Sequence, residues 1–412
     1  MNRSKWNTLL AALFIASLTL LVILHPEAAL DASKQGLKMW WEIVFPSLLP
    51  FFILSELLIA FGIVQFIGII LEPFMRPIFR VPGVGGFVFA MGMASGFPSG
   101  AKLTARLRQE NQLSAIEAER LVSFTNCSNP LFIFGAVAVG FFHNQALGLL
   151  LAAAHYLGNV MVGLVMRFHG RSKEKNIRKD KKTSFPSILS AFNALHKTRL
   201  ENKQPLGKML GNAVLSSVQS LLMIGGFIIA FSVFNRILSV VQLTDFLSGA
   251  INVFLTMAGF PESYGKPLIS GLFEITLGSQ LISKETGPAL LFQAAVLTSF
   301  ILAFSGFSVQ AQVASILAET DIRFKPFFIA RIMQGFFAAI AAALLFKPLY
   351  LHFQSSKETS VQPAFLFQNS GRWFTEIWQH LSSAGPLITI GSLLVYIILY
   401  SLKSRTISKK PY

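Results

Sequence analysis

Long apolar stretches alternate with short polar or basic segments along almost the whole chain. The hydrocarbon core of a bilayer is about 30 Å thick, so a helix that crosses it needs about 20 mostly apolar residues. Stretches of this kind lie at residues 9–24, 40–71, 121–142, 146–166, 210–241, 289–317, 324–346 and 386–402. The pattern predicts an all-α polytopic membrane protein with about eight full spans.

Two further apolar segments, residues 84–100 and 267–283, are short and are interrupted by Gly, Ser or Pro. Each of them follows a long span and precedes two more spans. Gly92 in the first segment matches Gly271 in the second, and neighbouring spans align at similar offsets. This shared order predicts two repeats of one unit, each with a broken helical hairpin.

The distribution of basic residues fits this arrangement if the N-terminus lies in the cytoplasm. The basic segments then fall on the cytoplasmic side, as the positive-inside rule requires. This holds only if both interrupted segments are re-entrant hairpins, which leave the membrane by the face they entered. The first spans of the two repeats then run in opposite directions, so the repeats are inverted. Inverted repeats with paired broken helices are typical of secondary transporters, which bind substrate near the middle of the bilayer.

Composition supports the assignment to a membrane. Hydrophobic residues make up 53% of the chain, charged residues 13%, and the mean hydropathy is +0.58; a soluble domain carries about 25% charged residues. Much of the net charge of +16 comes from residues 167–208, where twelve Lys or Arg accompany three acidic residues. Because this segment separates two apolar blocks, we interpret it as a cytoplasmic loop that contacts anionic lipid, and we expect no binding of nucleic acid.

The expected organisation has five parts. They are an N-terminal membrane helix with an external loop (1–39), a first repeat (40–166), the basic cytoplasmic loop (167–208), a second repeat (209–346), and an external segment with a C-terminal membrane helix (347–412). Both termini are expected in the cytoplasm. The first helix resembles a signal peptide, but the many spans after it favour an uncleaved membrane helix.

Polar residues inside apolar segments are the candidate substrate-binding residues, because unpaired polar groups are tolerated in a membrane only where they line a cavity. They form four stretches, two in each repeat. They are Ser95, Ser99 and Lys102; Thr125, Asn126, Ser128 and Asn129; Glu274, Thr276, Ser279 and Gln280; and Ser305, Ser308 and Gln310. Since the stretches occupy equivalent places in the two repeats, we expect them to line one site on a pseudo-two-fold axis.

Packing is the competing interpretation, because small and polar residues also hold membrane helices together. For any one Ser or Gly we favour packing, whereas for Asn126 and Asn129 we favour a functional role. Glu56 is a further buried acid, which either pairs with a basic residue or takes part in proton coupling. No catalytic motif and no metal-ligand spacing occurs in the sequence. We therefore expect no enzyme activity, no cofactor and no metal site.

The sequences GMASGFPSGAK at residues 92–102 and TNCSNP at residues 125–130 resemble the YlbJ family of sporulation integral membrane proteins of Bacillus-type spore formers. The likeness extends over nearly the whole chain, and its two units resemble the nucleoside-recognition Gate domain. The resemblance implies transport of a small anion, dipicolinic acid, from the mother cell across the outer forespore membrane. It implies no particular substrate-binding residues.

Three functions stay open at this point. The first is an anion transporter, the second is a transporter of nucleosides or other neutral polar solutes, and the third is a non-transporting scaffold. A scaffold would recruit sporulation membrane partners through the basic loop or the segment at 352–383, and a homo-oligomer is equally compatible with the sequence. Inverted broken repeats favour the two transport functions over the scaffold.

Overall fold

The computed structural model describes residues 3–171, 188–201 and 204–351. Helices joined by short turns make up this part of the chain, and no strand occurs within it. The centre of the basic loop and the last predicted membrane helix, with the segment before it, lie outside the described residues. The all-helical fold class is confirmed for the part that the structure describes.

The first half of the chain begins with a membrane-length helix and ends with another. Its helices are α1 (Arg3–Leu24), α2 (Pro26–Met39), α3 (Phe45–Ala60), α4 (Ile63–Phe79), α5 (Val84–Ser95), α6 (Ser99–Gln109), α7 (Ala115–Thr125) and α8 (Gln145–Met166). A short π-helical stretch, Trp40–Val44, joins α2 to α3, and a longer one, Leu131–Phe141, lies between α7 and α8. The external loop expected before residue 40 is thus largely the helix α2.

The second half repeats much of this order. Its helices are α9 (Ile188–Glu201), α10 (Leu206–Val240), α11 (Leu243–Met257), α12 (Gly265–Phe273), α13 (Ile275–Lys284), α14 (Leu291–Phe304), α15 (Gly306–Leu317) and α16 (Phe324–Leu345). A π-helical stretch, Phe346–Leu351, extends α16.

Among the described residues, four helical segments are long and apolar enough to cross a membrane, namely Gln145–Met166, Leu206–Val240, Leu291–Leu317 and Phe324–Tyr350. The number rises to six if two bent helix pairs near the N-terminus each count as one span. Large apolar side chains on these helices face outward, as lipid contact requires; Phe336 is 57% exposed and Leu344 is 73% exposed. The protein is therefore an integral membrane protein with several candidate spans.

The single long span expected at residues 40–71 is bent in the structure. The chain turns by 82° between α3 and α4, because Gly62 adopts a left-handed conformation with φ +81° that ends α3. The second half has a similar feature: α10 ends at Val240, and Gln242 takes φ +60° before α11 begins. Each long first helix is thus followed, after a left-handed residue, by a more amphipathic helix.

Polar caps account for two of the helix starts in the first half. Ser114 precedes α7, and its side chain accepts the N–H of Glu117 while the Glu117 carboxylate accepts the N–H of Ser114. This reciprocal capping box satisfies two backbone donors that the helix cannot bond itself. Asn144 caps α8 by accepting the N–H of Leu147. Both signals are local, and both set the start of a helix that packs in the core.

Glycines allow the two broken hairpins to pack closely. Helices α5 and α6 form the first hairpin and both contact α7; α12 and α13 form the second and both contact α14. A Cβ on Gly92 would lie 2.0 Å from the carbonyl oxygen of Thr125, and one on Gly100 would lie 2.3 Å from it. In the second hairpin a Cβ on Gly278 would lie 2.1 Å from the Cα of Gly271. The glycines that interrupt these segments are thus required for the contact between backbones.

Helices from the two halves contact each other across the core, where α8 packs against α16. α7 of the first half packs on α16, and α14 of the second half packs on α8. In the same way α6 contacts α15, while α13 contacts the π-helix Leu131–Phe141. The core therefore lies between the two halves, and broken helices from both of them meet there.

Candidate functional site

A cavity of about 680 Å³ lies where the interrupted helices meet. Most of its wall is apolar and comes from the segment at Ile43–Leu48, the π-helix Leu131–Phe141, and helix α10. Besides Glu42, its polar part comes from all four polar stretches that the sequence analysis identified. The residues there are Gly96 and Phe97 after α5, Ser128 and Asn129 after α7, Glu274 and Thr276 at the start of α13, and Ser308 and Gln312 in α15. Residues from all four polar stretches thus lie in the wall of one cavity.

The first break, between α5 and α6, depends on Gly96. This residue has φ +83° and ψ −172°, a conformation open essentially to glycine alone. The Ser99 hydroxyl at the start of α6 donates to the Gly96 carbonyl at 2.6 Å. The Ser95 carbonyl accepts the side-chain N–H of Asn129 at 3.1 Å. One hydrogen bond within the hairpin and one from Asn129, outside the hairpin, therefore stabilise this break.

The second break, at residues 126–130, combines a cap with an unusual histidine contact. The Asn129 side-chain oxygen accepts the N–H of Phe132 at 2.7 Å and so caps the π-helix Leu131–Phe141. The N–H of Ser128 donates to Nε2 of the buried His155 at 3.0 Å. The Ser128 carbonyl accepts the Tyr156 hydroxyl at 3.0 Å. Helix α8 thus fixes the backbone that faces the cavity.

The third break places a carboxylate at a helix N-terminus. Glu274 is buried, and one of its carboxylate oxygens accepts the N–H of Leu277 at 2.7 Å, which caps α13. The other oxygen accepts the Thr276 hydroxyl at 3.1 Å. The positive end of the α13 dipole favours a negative charge at this place. Glu274 therefore occupies, with its own side chain, a position that could otherwise bind an external anion.

The fourth break lies between α14 and α15. Ser305 takes a left-handed conformation with φ +69°, which ends α14. The Gln310 amide then donates to the carbonyl of Phe304 at 3.0 Å. In this way a side chain from α15 satisfies a carbonyl at the end of α14, and α15 can begin immediately at Gly306.

The fourteen predicted site residues divide into two groups. Five of them line the cavity: Ser128, Asn129, Glu274, Thr276 and Ser308. The other nine do not appear in its wall: Ser95, Ser99, Lys102, Thr125, Asn126, Ser279, Gln280, Ser305 and Gln310. Several residues of the second group form hydrogen bonds with backbone carbonyls of their own helices instead. The hydroxyls of Thr125 and Ser279, for example, each donate to the carbonyl four residues earlier.

Lys102 has a different set of contacts from the one expected of a substrate ligand. Its ammonium lies 3.0 Å from a carboxylate oxygen of Glu56 and donates to the hydroxyls of Ser216 and Ser220. Glu56 also pairs with Arg106 at 2.6 Å. Of the two roles considered for Glu56, pairing with a basic residue is the one seen. Lys102 is therefore engaged within the protein and away from the cavity wall.

Some polar atoms near the cavity have no partner among the described residues. The hydroxyls of Ser128 and Ser308 are buried and line the cavity, and neither makes a hydrogen bond. Both polar atoms of the Asn126 side chain are likewise unpaired. Buried polar groups are nearly always satisfied in native proteins. At the cavity wall, the hydroxyls of Ser128 and Ser308 are therefore without a hydrogen-bond partner among the described residues.

Sequence reasoning did not single out two buried residues beside this site. Arg331 lies within the apolar helix α16, His155 lies within α8, and both side chains are fully buried. Gln312 of α15 also lines the cavity but is not among the predicted site residues. For Arg331 a signal was available, since a charged residue inside a predicted span indicates a functional site.

Comparison with known proteins identifies the family. The chain is 63% identical to the "Sporulation integral membrane protein YlbJ" of Bacillus subtilis (strain 168), over 413 aligned residues that cover 100% of both chains. This chain belongs to the YlbJ family of sporulation integral membrane proteins. The resemblance stated from the sequence is thus confirmed.

The family model Gate, described as nucleoside recognition, also matches the chain at residues 41–145. In this YlbJ family member the matched region runs from the π-helical stretch before α3 to the first residue of α8. It includes the first hairpin and the break at residues 126–130, and so half of the polar cavity wall. No solved structure matches the chain.

Proposed function

We propose that the protein is a transporter that moves a small polar solute through the cavity between its two halves. The observation that carries this proposal is the meeting of four helix breaks, two from each half, at one cavity. Broken helices inside a membrane protein expose backbone groups that only a cavity or a bound solute can satisfy. The cavity volume lies within the range of about 300–1,000 Å³ that is usual for small-molecule sites.

Inverted repeats are part of this proposal. Helices α3 to α8 and α10 to α16 follow one order of long helix, amphipathic helix, hairpin, broken helix and final helix. The reciprocal packing of α7 on α16 and of α14 on α8 is what a two-fold relation between the halves would produce. About eight full spans, with the two hairpins re-entrant, would complete such a fold.

The proposed orientation places both termini and residues 167–208 in the cytoplasm. Support comes from a group of arginines, Arg80, Arg108, Arg120 and Arg323, whose contacts bring the ends of α4 and α6, helix α7 and the start of α16 together. Arg108 pairs with Asp321, and Arg323 pairs with Glu119. The positive-inside rule assigns a basic group of this kind to the cytoplasm. The binding of anionic lipid by the basic loop is proposed on the same ground.

For the solute we propose dipicolinic acid, carried from the mother cell across the outer forespore membrane. Membership of a sporulation membrane protein family supports this choice. The N-termini of α6, α15 and the π-helix Leu131–Phe141 begin at the breaks, and helix N-termini favour carboxylates. The unpaired hydroxyls of Ser128 and Ser308 add donors to the cavity wall.

A second candidate is a neutral solute of the nucleoside type. The cavity wall contains the carboxylates Glu42 and Glu274 but no Lys or Arg among the described residues. A wall of this kind suits an uncharged solute with several hydroxyl and amide groups. The Gate match at residues 41–145 points in the same direction, since that family model is described as nucleoside recognition.

The test is uptake of radiolabelled dipicolinate, with uridine in parallel, into sealed proteoliposomes that contain only the purified protein. Saturable uptake of dipicolinate is the expected result. A variant that combines Ser128→Ala with Ser308→Ala should lower this uptake by about a hundredfold or more, the loss expected for two hydrogen bonds to a charged solute at about 1.5 kcal/mol or more each. Ser17→Ala is the matched control, because Ser17 is exposed on α1 and bonds only carbonyls of its own helix.

Each outcome of this experiment selects one function. Uptake of uridine alone would select the nucleoside-type solute. Failure of both solutes to enter sealed and correctly loaded vesicles would overturn transport and favour a non-transporting scaffold in the sporulation membrane. Dipicolinate uptake that the double variant leaves unchanged would preserve transport but reject this cavity as the binding site.

A further inference from the structure

Arg331 is an isolated charged residue in the interior of the helix bundle. It lies seven residues after the start of α16 at Phe324, in a helix that is apolar on both sides of it. Its side chain is fully buried. A guanidinium at such a place is costly, and residues of this kind generally serve a substrate or ion path.

The contacts of Arg331 involve no carboxylate. One of its terminal nitrogens donates to the carbonyl of Asn126 at 2.7 Å, and the other donates to the carbonyl of Ser123. The guanidinium also lies over the ring of Phe327, 5.2 Å from its centre. No ion pair of Arg331 occurs in the part of the chain that the structure describes, and its Nε atom has no hydrogen-bond partner.

The C-terminal end of α7 offsets this charge only in part. A helix C-terminus carries a partial charge of about −0.5, which is less than the full positive charge of a guanidinium. A guanidinium also cannot lose its charge within the physiological pH range. Glu274, the buried acid on the cavity wall, differs in this respect, because a carboxyl group can take up a proton. Within the part of the chain that the structure describes, Arg331 therefore carries a fixed positive charge without a full negative counterpart.

Arg331 forms a hydrogen bond with the turn at residues 126–128, which contributes part of the polar cavity wall. The carbonyl that it bonds belongs to Asn126, and Ser128, two residues later, lines the cavity. The Asn126 side chain and the Ser128 hydroxyl are both without partners. Because the wall itself contains no Lys or Arg among its described residues, Arg331 is the positive charge that is coupled to the wall through a direct backbone contact.

We propose that Arg331 is a positioning residue that makes the cavity selective for a negatively charged solute, by holding the turn at residues 126–128 and by supplying the solute's missing counter-charge. Arg331 does not need to touch the solute for this role, because charge acts through the buried wall with little screening. This inference rests on the proposed transport function, and it assigns to one residue the preference for an anion over a neutral solute of the same shape.

The test compares dipicolinate with its monoamide and its diamide, which have nearly the same shape and one or two fewer negative charges. In wild-type proteoliposomes the KM for uptake should rise about tenfold for each charge removed. That change corresponds to a unit charge acting over roughly 10 Å at an effective dielectric constant of about 20. This series needs no variant, so it stays informative even if substitutions at Arg331 prevent folding.

Variants then assign the preference to Arg331. Arg331→Gln should raise the KM for dipicolinate about a hundredfold, because both carboxylates lose the interaction, and should leave the KM for the diamide within about twofold. Arg331→Lys should retain most of the preference for the anion. Arg236→Gln is the matched control, because Arg236 is an exposed arginine on the membrane helix α10. Thermal melting of each purified variant checks that the fold is intact.

The outcomes separate this inference from the proposed function. Wild-type protein that transports dipicolinate and its diamide with equal KM would overturn the role of Arg331 but leave transport standing. Loss of uptake for both solutes in folded Arg331→Gln would show a purely structural residue and would also overturn the inference. Wild-type protein that moves none of the three compounds would instead count against the proposed transport function itself.

Discussion

At the scale of single residues, the structure shows why so many polar and small side chains occur inside apolar segments. Most of the polar ones satisfy backbone groups that the helix breaks leave free, as Asn129 and Glu274 do by capping the helices that follow them. The glycines allow two backbones to approach each other closely, because they have no side chain. Gly92 is the clearest case, because the carbonyl of Thr125 occupies the place where a Cβ would be.

The substitution Gly92→Ala should therefore destabilise the protein strongly. A methyl group 2.0 Å from a carbonyl oxygen cannot be accommodated without moving α5 away from α7, and overpacking of a core costs about 1–3 kcal/mol or more. We expect a clearly lower melting temperature in detergent. Gly226→Ala is the control, since nothing lies within 4 Å of a Cβ there; a fall of equal size in both variants would contradict this explanation.

At the scale of helices, the structure joins the break at residues 126–130 to elements from elsewhere in the chain. Asn129 illustrates this, because its side chain caps the π-helix Leu131–Phe141 and also donates to the carbonyl of Ser95 at the end of α5. One amide thus fixes the start of a helix and links it to the first hairpin. His155 of α8 adds a third connection through the N–H of Ser128.

Removal of this amide by Asn129→Ala should lower the free energy of unfolding by about 1–3 kcal/mol. The loss combines a helix cap, worth about 0.5–2 kcal/mol, with one further buried hydrogen bond. Denaturant unfolding in detergent micelles measures it. Asn126→Ala at the same break provides the comparison, because the Asn126 side chain has no partner to lose. Equal destabilisation by both substitutions would show that the two hydrogen bonds of Asn129 contribute little.

At the scale of the whole molecule, ion pairs join the two halves at one end of the helices. Arg323 precedes α16 and donates to both carboxylate oxygens of the buried Glu119 on α7, at 2.6 and 2.9 Å. His169 approaches the same carboxylate at 2.6 Å. A second pair, Arg108 with Asp321, lies at this end as well. These pairs hold together the end of the bundle that we propose to be cytoplasmic.

The pair between Glu119 and Arg323 should make stability depend on pH. Burial disfavours the charged carboxylate, but hydrogen bonds from Arg323 and His169 outweigh burial and hold the pKa of Glu119 below its usual value. A lowered folded-state pKa contributes stability above the unfolded value of about 4.3, and this contribution disappears as the pH falls through the folded-state pKa.

We therefore expect the melting temperature to fall as the pH drops from about 5 to 3, and to fall less in Glu119→Gln. That variant should also melt at a lower temperature than wild type at pH 7. Glu110→Gln is the control, since Glu110 is exposed and pairs with Arg106 of its own helix. A Glu119→Gln profile parallel to that of wild type would contradict this assignment.

The amino-acid sequence by itself determined the membrane setting, the helical class and the positions of the four polar interruptions. These properties follow from local rules, because a bilayer demands apolar stretches of a certain length and a helix break requires Gly, Pro or a capping side chain. The sequence predicts the breaks near Gly96 and Glu274 as interrupted segments, whereas Asn126 and Ser305 lie in polar stretches of segments that it predicts as full spans. The family followed from the residues around Gly96 and Asn126.

Only the tertiary structure decided which side chains face the cavity and which face another helix. A helix turns by about 100° per residue, and these segments are apolar on nearly every side, so no pattern marks the inward face. Lys102 therefore looked like a substrate ligand until its pairing with Glu56, 46 positions away in the chain, was seen. Likewise the contact of Arg331 with the turn at Asn126 joins residues far apart in sequence, and only packing of the two halves brings them together.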